Sequence, residues 1–125
     1  MAHRTILVVD DEVSIQILIA RQLRLLGYEV QTAGSGAAAL ELLRLQAGRY
    51  DLVLTDILMP AMNGTELAAR LLERDPLQAV VLMSGSAPSG VAEVGARQGL
   101  PVLKKPIDVA TLARVLEQAL ATAVS

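Results

Sequence analysis

A three-layer α/β domain, one parallel sheet with helices on both faces, is the architecture this sequence predicts. Three observations carry the prediction. Short, continuously apolar runs such as Ile6-Leu7-Val8-Val9 recur along the chain, the pattern of strands buried on both faces. Each is followed by a longer stretch in which Leu, Ile, Val and Ala return at helical spacing. Glycine and proline mark the joints, with Gly27, Gly48, Pro60 and Asn63-Gly64 falling between the periodic segments.

Taken in order, Thr5 to Val9 is β-branched and apolar, and reads as the first strand. From Val13 a helix follows through Ile17, Leu18, Leu23, Leu25 and Leu26, with Gln16, Arg21, Gln22 and Arg24 on its other face and Gly27 as its terminator. Tyr28 to Ala33 reads as a second strand, and Ser35 as the cap of a helix that Gly48 stops. Asp51 to Thr55 is a third buried strand, Thr65 to Arg74 a third helix, and Ala79 to Met83 a fourth strand. Between Gly85 and Gly99 helix breakers dominate, so the fourth helix is expected to be short or frayed. Pro101 to Leu103 makes a short fifth strand, and Asp108 caps a last helix through Val109, Leu112, Val115, Leu116 and Leu120. Five such βα units with right-handed crossovers predict a flavodoxin-like (βα)5 doubly wound sheet of order 2-1-3-4-5, with residues 1–125 forming one domain.

Composition narrows the function. The absence of cysteine excludes disulfides and thiolate metal sites and suits a reducing compartment. With a formal net charge of −2 there is no electrostatic case for direct nucleic-acid binding, and two tyrosines as the only aromatics offer no base-stacking platform. No apolar run approaches the roughly 20 residues of a membrane span, and the apolar stretch before Asp10 is too short for a signal-peptide core. A soluble cytoplasmic domain is the expectation.

In a sheet of this order, ligands gather beyond the carboxyl ends of the strands, at the reversal point between strands one and three. The residues expected there are Asp10 and Asp11 after strand one, Asp56 after strand three, Ser84 after strand four, and Lys104-Lys105-Pro106 after strand five. Three carboxylates so close repel one another, so one protonates or a cation binds. Oxygen donors without His or Cys favour Mg²⁺ over Zn²⁺. A carboxylate is also a competent nucleophile toward phosphorus, and phosphoryl transfer asks chiefly for positioning and charge neutralisation.

The motifs Val8-Val9-Asp10-Asp11-Glu12, Asp56-Ile57-Leu58-Met59-Pro60-Ala61-Met62-Asn63-Gly64, Met83-Ser84-Gly85 and Lys105-Pro106-Ile107 resemble, in order and over essentially the whole chain, those of the receiver domains of two-component response regulators. The resemblance implies that Asp56 accepts a phosphoryl group from a histidine kinase or a histidine phosphotransfer protein. It implies Mg²⁺ held by Asp11, the Asp56 carboxylate and the Leu58 carbonyl, with Asp10 as the second member of the acidic pair. It places Ser84 at the hydroxyl switch position and makes Lys105 the phosphate-binding lysine, with a cis Lys105–Pro106 bond. The change on phosphorylation is then expected near the fourth helix, the fifth strand and the last helix, toward an unknown output partner or tethered kinase domains. The stretch from Gly99 to Pro106 resembles receivers of hybrid sensor kinases, and the chain is either a free-standing regulator or a piece of a longer protein.

Plainer readings compete residue by residue. Asp11 could cap the first helix, Ser84 could be a turn serine, and either lysine could be a solvated surface residue. The proline selects Lys105, leaving Lys104 to face out. His3 and the arginines at 21, 24, 44 and 49 read as ordinary exposed residues. Two departures bear on output: Val102 stands where many receivers carry an aromatic residue, and Leu58 and Ser86 hold positions that tune phosphoryl lifetime in the family. A receiver-like interaction module that is never phosphorylated is the rival function. A small nucleotide-binding enzyme is the other, although Asp10-Asp11-Glu12 replaces the glycine loop such a site needs.

Overall fold

A computed structural model describes residues 4–45, 50–85 and 98–124. Its strands are β1 (Thr5–Val9), β2 (Glu29–Ala33), β3 (Leu52–Asp56), β4 (Ala79–Ser84) and β5 (Val102–Lys104). The helices are α1 (Val13–Leu25), α2 (Gly36–Leu45), α3 (Gly64–Arg74) and the C-terminal α4 (Val109–Val124). The stretch expected to hold a weak helix between β4 and β5, including Ser86, lies outside the described residues, as does Gly48. Among the described residues no helix is long and apolar enough to cross a membrane.

The strands form one sheet in the order β2-β1-β3-β4-β5, every pair parallel. Successive side chains of a strand point to opposite faces, and this period sorts the core into two layers. Ile6, Val8, Leu52, Leu54, Val81 and Met83 pack with Ile19 and Leu23 of α1 and with Leu112, Leu116 and Leu120 of α4. Leu7, Val9, Val53, Val80 and Leu82 pack instead with Ala39 and Leu43 of α2 and with Leu67, Ala68 and Leu71 of α3. The continuous apolar runs are thus explained: in β1, β3 and β4 both faces are covered, and nearly every residue is buried. Edge strand β2 differs, with Glu29, Gln31 and Thr32 exposed.

Helix ends follow local chemistry. Gly27 adopts φ 96°, with its N–H donating to Arg24 O and Tyr28 N–H donating to Leu23 O, the paired bonds of a Schellman ending. Ser35 Oγ accepts from Ala38 N at 3.0 Å and Asp108 Oδ1 from Thr111 N at 2.8 Å, so both expected caps are present. Helix α3 carries a reciprocal capping box between Asn63 and Glu66, matching the Asn-x-x-Glu spacing at the turn that precedes it. The cap position of α1 is Glu12, without a side-chain cap bond, so capping does not account for Asp11.

Candidate functional site

Because all five strands run in parallel, their carboxyl ends share one edge, and the chain reverses its winding between neighbours β1 and β3. Val9 pairs with Thr55, so the next residues, Asp10 and Asp56, meet across that gap. Asp56 lies on the same face of β3 as Leu52 and Leu54, at the polar end of an otherwise apolar row. Asp10 is fully buried and Asp56 is 7% exposed, whereas Asp11 is exposed.

One carboxylate oxygen from each of Asp10, Asp11 and Asp56 lies within 4.8 Å of the others. Lys105, which follows β5 and is joined to Pro106 by a cis bond, places Nζ 2.8 Å from Asp10 Oδ2 and 3.4 Å from Asp56 Oδ1. Its backbone N–H donates to Ser84 O at 2.7 Å, joining the ends of β4 and β5. Asp10 Oδ1 accepts from Glu12 N at 2.9 Å, so both oxygens of this buried carboxylate are occupied. Among the described residues no hydrogen bond or ion pair holds the Asp11 side chain.

Burial is the main force on Asp56 and pushes its carboxyl above the ordinary range. The Asp10 charge adds to this, and Lys105 opposes it. For Lys105 burial also disfavours the charge, yet the hydrogen bond it donates to Asp10 and the charges of Asp56 and Asp10 outweigh it and raise its pKa. The ammonium is therefore held charged, and three acids facing one cation give a formal charge of −2 when all are ionised. A divalent cation complements that charge, and an all-oxygen donor set suits a hard ion. The cluster fits such an ion, whose field would draw Asp56 back toward ionisation.

Ser84 closes β4 and is buried beside the strand bearing Asp56. Leu58 follows on the loop with its side chain half exposed. Lys104 faces outward, as its place beside Lys105 predicts.

Two supports escaped the sequence. Gly64 packs so closely under Asp56 that a Cβ there would stand 2.2 Å from Asp56 O, and its N–H donates to Ile57 O at 2.7 Å. Ala61 takes φ 67°, with Met62 N–H donating to Pro60 O across it, a γ-turn that strains a non-glycine residue. Asn63-Gly64 signals a turn in any sequence. Only the fold shows that the glycine is needed for close approach.

The model of the response regulator receiver domain matches residues 6–117. The response regulator receiver protein CpdR of Brucella abortus is 34% identical over 121 residues, covering 96% of this chain and 99% of that protein. The sensor protein EvgS of Escherichia coli K12 is 36% identical over 115 residues, covering 91% of this chain but only 9% of its own length. A crystal structure of a response regulator receiver domain protein from Clostridium thermocellum superposes with a TM-score of 0.88, at 28% identity and 94% coverage of both chains. The flavodoxin-like sheet order, the acidic pocket at its switch point and these matches agree: the chain belongs to the response regulator receiver family, the phosphoacceptor signalling domains of two-component systems.

Proposed function

We propose that Asp56 is the phosphoacceptor of this receiver, charged in the cytoplasm from a phosphohistidine of a histidine kinase or a histidine phosphotransfer protein, either separate or tethered to the same polypeptide. The observation that carries the proposal is the cluster itself, in which Lys105 Nζ reaches both Asp10 and Asp56 while Asp11 stands within coordinating distance. In the transfer an Asp56 carboxylate oxygen forms a bond to phosphorus, the phosphorus–nitrogen bond breaks, and its electron pair leaves with the imidazole. Asp11, the Asp56 carboxylate and the Leu58 carbonyl would hold Mg²⁺, with Asp10 as an acidic neighbour. When bound, the ion supplies neutralisation of the phosphoryl oxygens.

Lys105 supplies a second positive charge and can exchange its contact with Asp56 for one with a phosphoryl oxygen. Ser84 donates its hydroxyl to another. The domain thus serves as acceptor and switch rather than as an enzyme turning over a separate substrate. Output passes through the surface of β5, α4 and the segment before β5, with Val102 in place of an aromatic relay. Intact mass after incubation with acetyl phosphate and Mg²⁺ is the test. Wild type gains one phosphoryl group and Asp56→Asn gains none; equal gain by both, or none by either, overturns the assignment.

A further inference from the structure

Asp10 is fixed through both carboxylate oxygens, but Asp11, the more exposed acid, has no such partner among the described residues. Its position depends on the backbone that carries it. The peptide group joining Asp10 to Asp11 contains the Asp10 carbonyl, and Gln16, one turn into α1, donates from Nε2 to that carbonyl at 2.6 Å. The same nitrogen stands 3.5 Å from Ala33 O at the end of β2. Ala33 O also accepts from Asp10 N at 3.1 Å. Both neighbours of the Gln16 amide are carbonyl oxygens, which fixes the nitrogen as the end facing them.

The Asp10 residue is thereby gripped from both sides of its backbone. Its N–H is held by the edge strand, and its C=O by a side chain from α1 that also reaches the edge strand. We infer that Gln16 is a positioning residue for the acidic pair: it orients the Asp10–Asp11 peptide so that the otherwise unheld Asp11 carboxylate points into the cluster. The inference rests on the proposed metal-dependent phosphoacceptor role of the site. Groups one bond removed from metal ligands commonly change metal affinity by about 10–100-fold, through ligand orientation rather than charge.

Mg²⁺ binding by calorimetry on wild type, Gln16→Met and Gln16→Arg provides the test, with thermal unfolding measured without metal. Methionine keeps the bulk and removes the donor, whereas arginine returns a donor of sufficient reach. Gln16→Met should weaken Mg²⁺ binding by about tenfold while its unfolding midpoint moves by no more than about 5 °C, the scale of one hydrogen bond. Gln16→Arg should recover most of the affinity. Wild-type affinity in Gln16→Met, or a loss in both variants that follows their loss of folded protein, overturns the inference and leaves the phosphoacceptor reading intact. A wild type that binds no Mg²⁺ and takes no phosphoryl group from acetyl phosphate overturns both.

Discussion

Replacing Gly64 by alanine tests how the fold positions the proposed phosphoacceptor. The added Cβ would stand 2.2 Å from Asp56 O and 2.9 Å from both Asp56 C and Ile57 Cα. A carbon rests no closer than about 3.3 Å to a carbonyl oxygen, so the start of α3 and the end of β3 must separate by roughly 1 Å. The Gly64 N–H to Ile57 O bond, 2.7 Å long, would then stretch past a useful length. Overpacking of about 1–3 kcal/mol and a lost backbone bond of about 1 kcal/mol give a destabilisation of about 2–4 kcal/mol. For a domain of this size that lowers the unfolding midpoint by on the order of 10 °C. A displacement of that size at a reacting group costs about 100-fold in rate. Initial rates of phosphorylation by acetyl phosphate, followed by intact mass well below either melting point, separate the rate effect from unfolding. Gly34→Ala is the control, since its Cβ would meet only Gln16 Nε2 at 3.7 Å and its φ is not positive. A Gly64→Ala protein that melts within about 2 °C of wild type and is phosphorylated within about twofold of its rate would refute the close-approach reasoning.

Three further outcomes are expected. Lys105→Met removes the ammonium bonded to Asp10 and Asp56; denaturant unfolding in EDTA should show a loss of about 2 kcal/mol, partly recovered with Mg²⁺ because a ligand of the folded state stabilises it. Leu58→Asn should shorten the half-life of the phosphorylated protein several-fold by admitting water beside Asp56, and an unchanged half-life by timed intact mass refutes that role. Hydrogen bonds from the Thr111 N–H and hydroxyl hold the Asp108 carboxyl below its ordinary value of 3.8, so its contribution to stability is present above that value and lost as pH falls through the lower folded one. An NMR titration of the side chain should show the depressed midpoint, and Thr111→Val should move it upward.

Much of this was legible because β1, β3 and β4 obey one simple rule. Buried on both faces, they are apolar apart from Thr5 at the start of β1 and Thr55 within β3, and the polar residue that closes each run marks a strand end. Asp10, Asp56 and Ser84 were found that way, one residue either side of the observed boundaries. Lys105 was selected by its proline, and the cis bond and the outward-facing Lys104 agree with that choice. The contacts made by backbone atoms were not legible. Gly64 and Ala61 matter through atoms every residue carries, and Gln16 through a side-chain bond to a backbone carbonyl, so their identities announce only a turn, a loop and a polar helix face. Their roles appear only when α3 is laid against β3 and α1 against the end of β2.

The places where local rules fail converge on one edge of the sheet. Elsewhere local signals agree with the fold: Ser35, Asn63 and Asp108 cap their helices, Gly27 takes the left-handed turn, and the apolar rows face helices. At the carboxyl edge a carboxylate is fully buried, a second is buried beside it, and Ala61 holds a strained positive φ costing about 1–3 kcal/mol. One lysine offsets only part of the negative charge. Such a site is a poor way to stabilise a small domain and a good way to await charge from outside. A divalent cation relieves the repulsion among the three acids, and a phosphoryl group on Asp56 would create a new demand on Lys105 and Ser84. The first would act on the ends of β1 and β3, the second would extend from β3 to the ends of β4 and β5. On the proposed chemistry the two events would bear on different strand pairs, so metal binding would prepare the site and phosphorylation would switch the far side of the sheet.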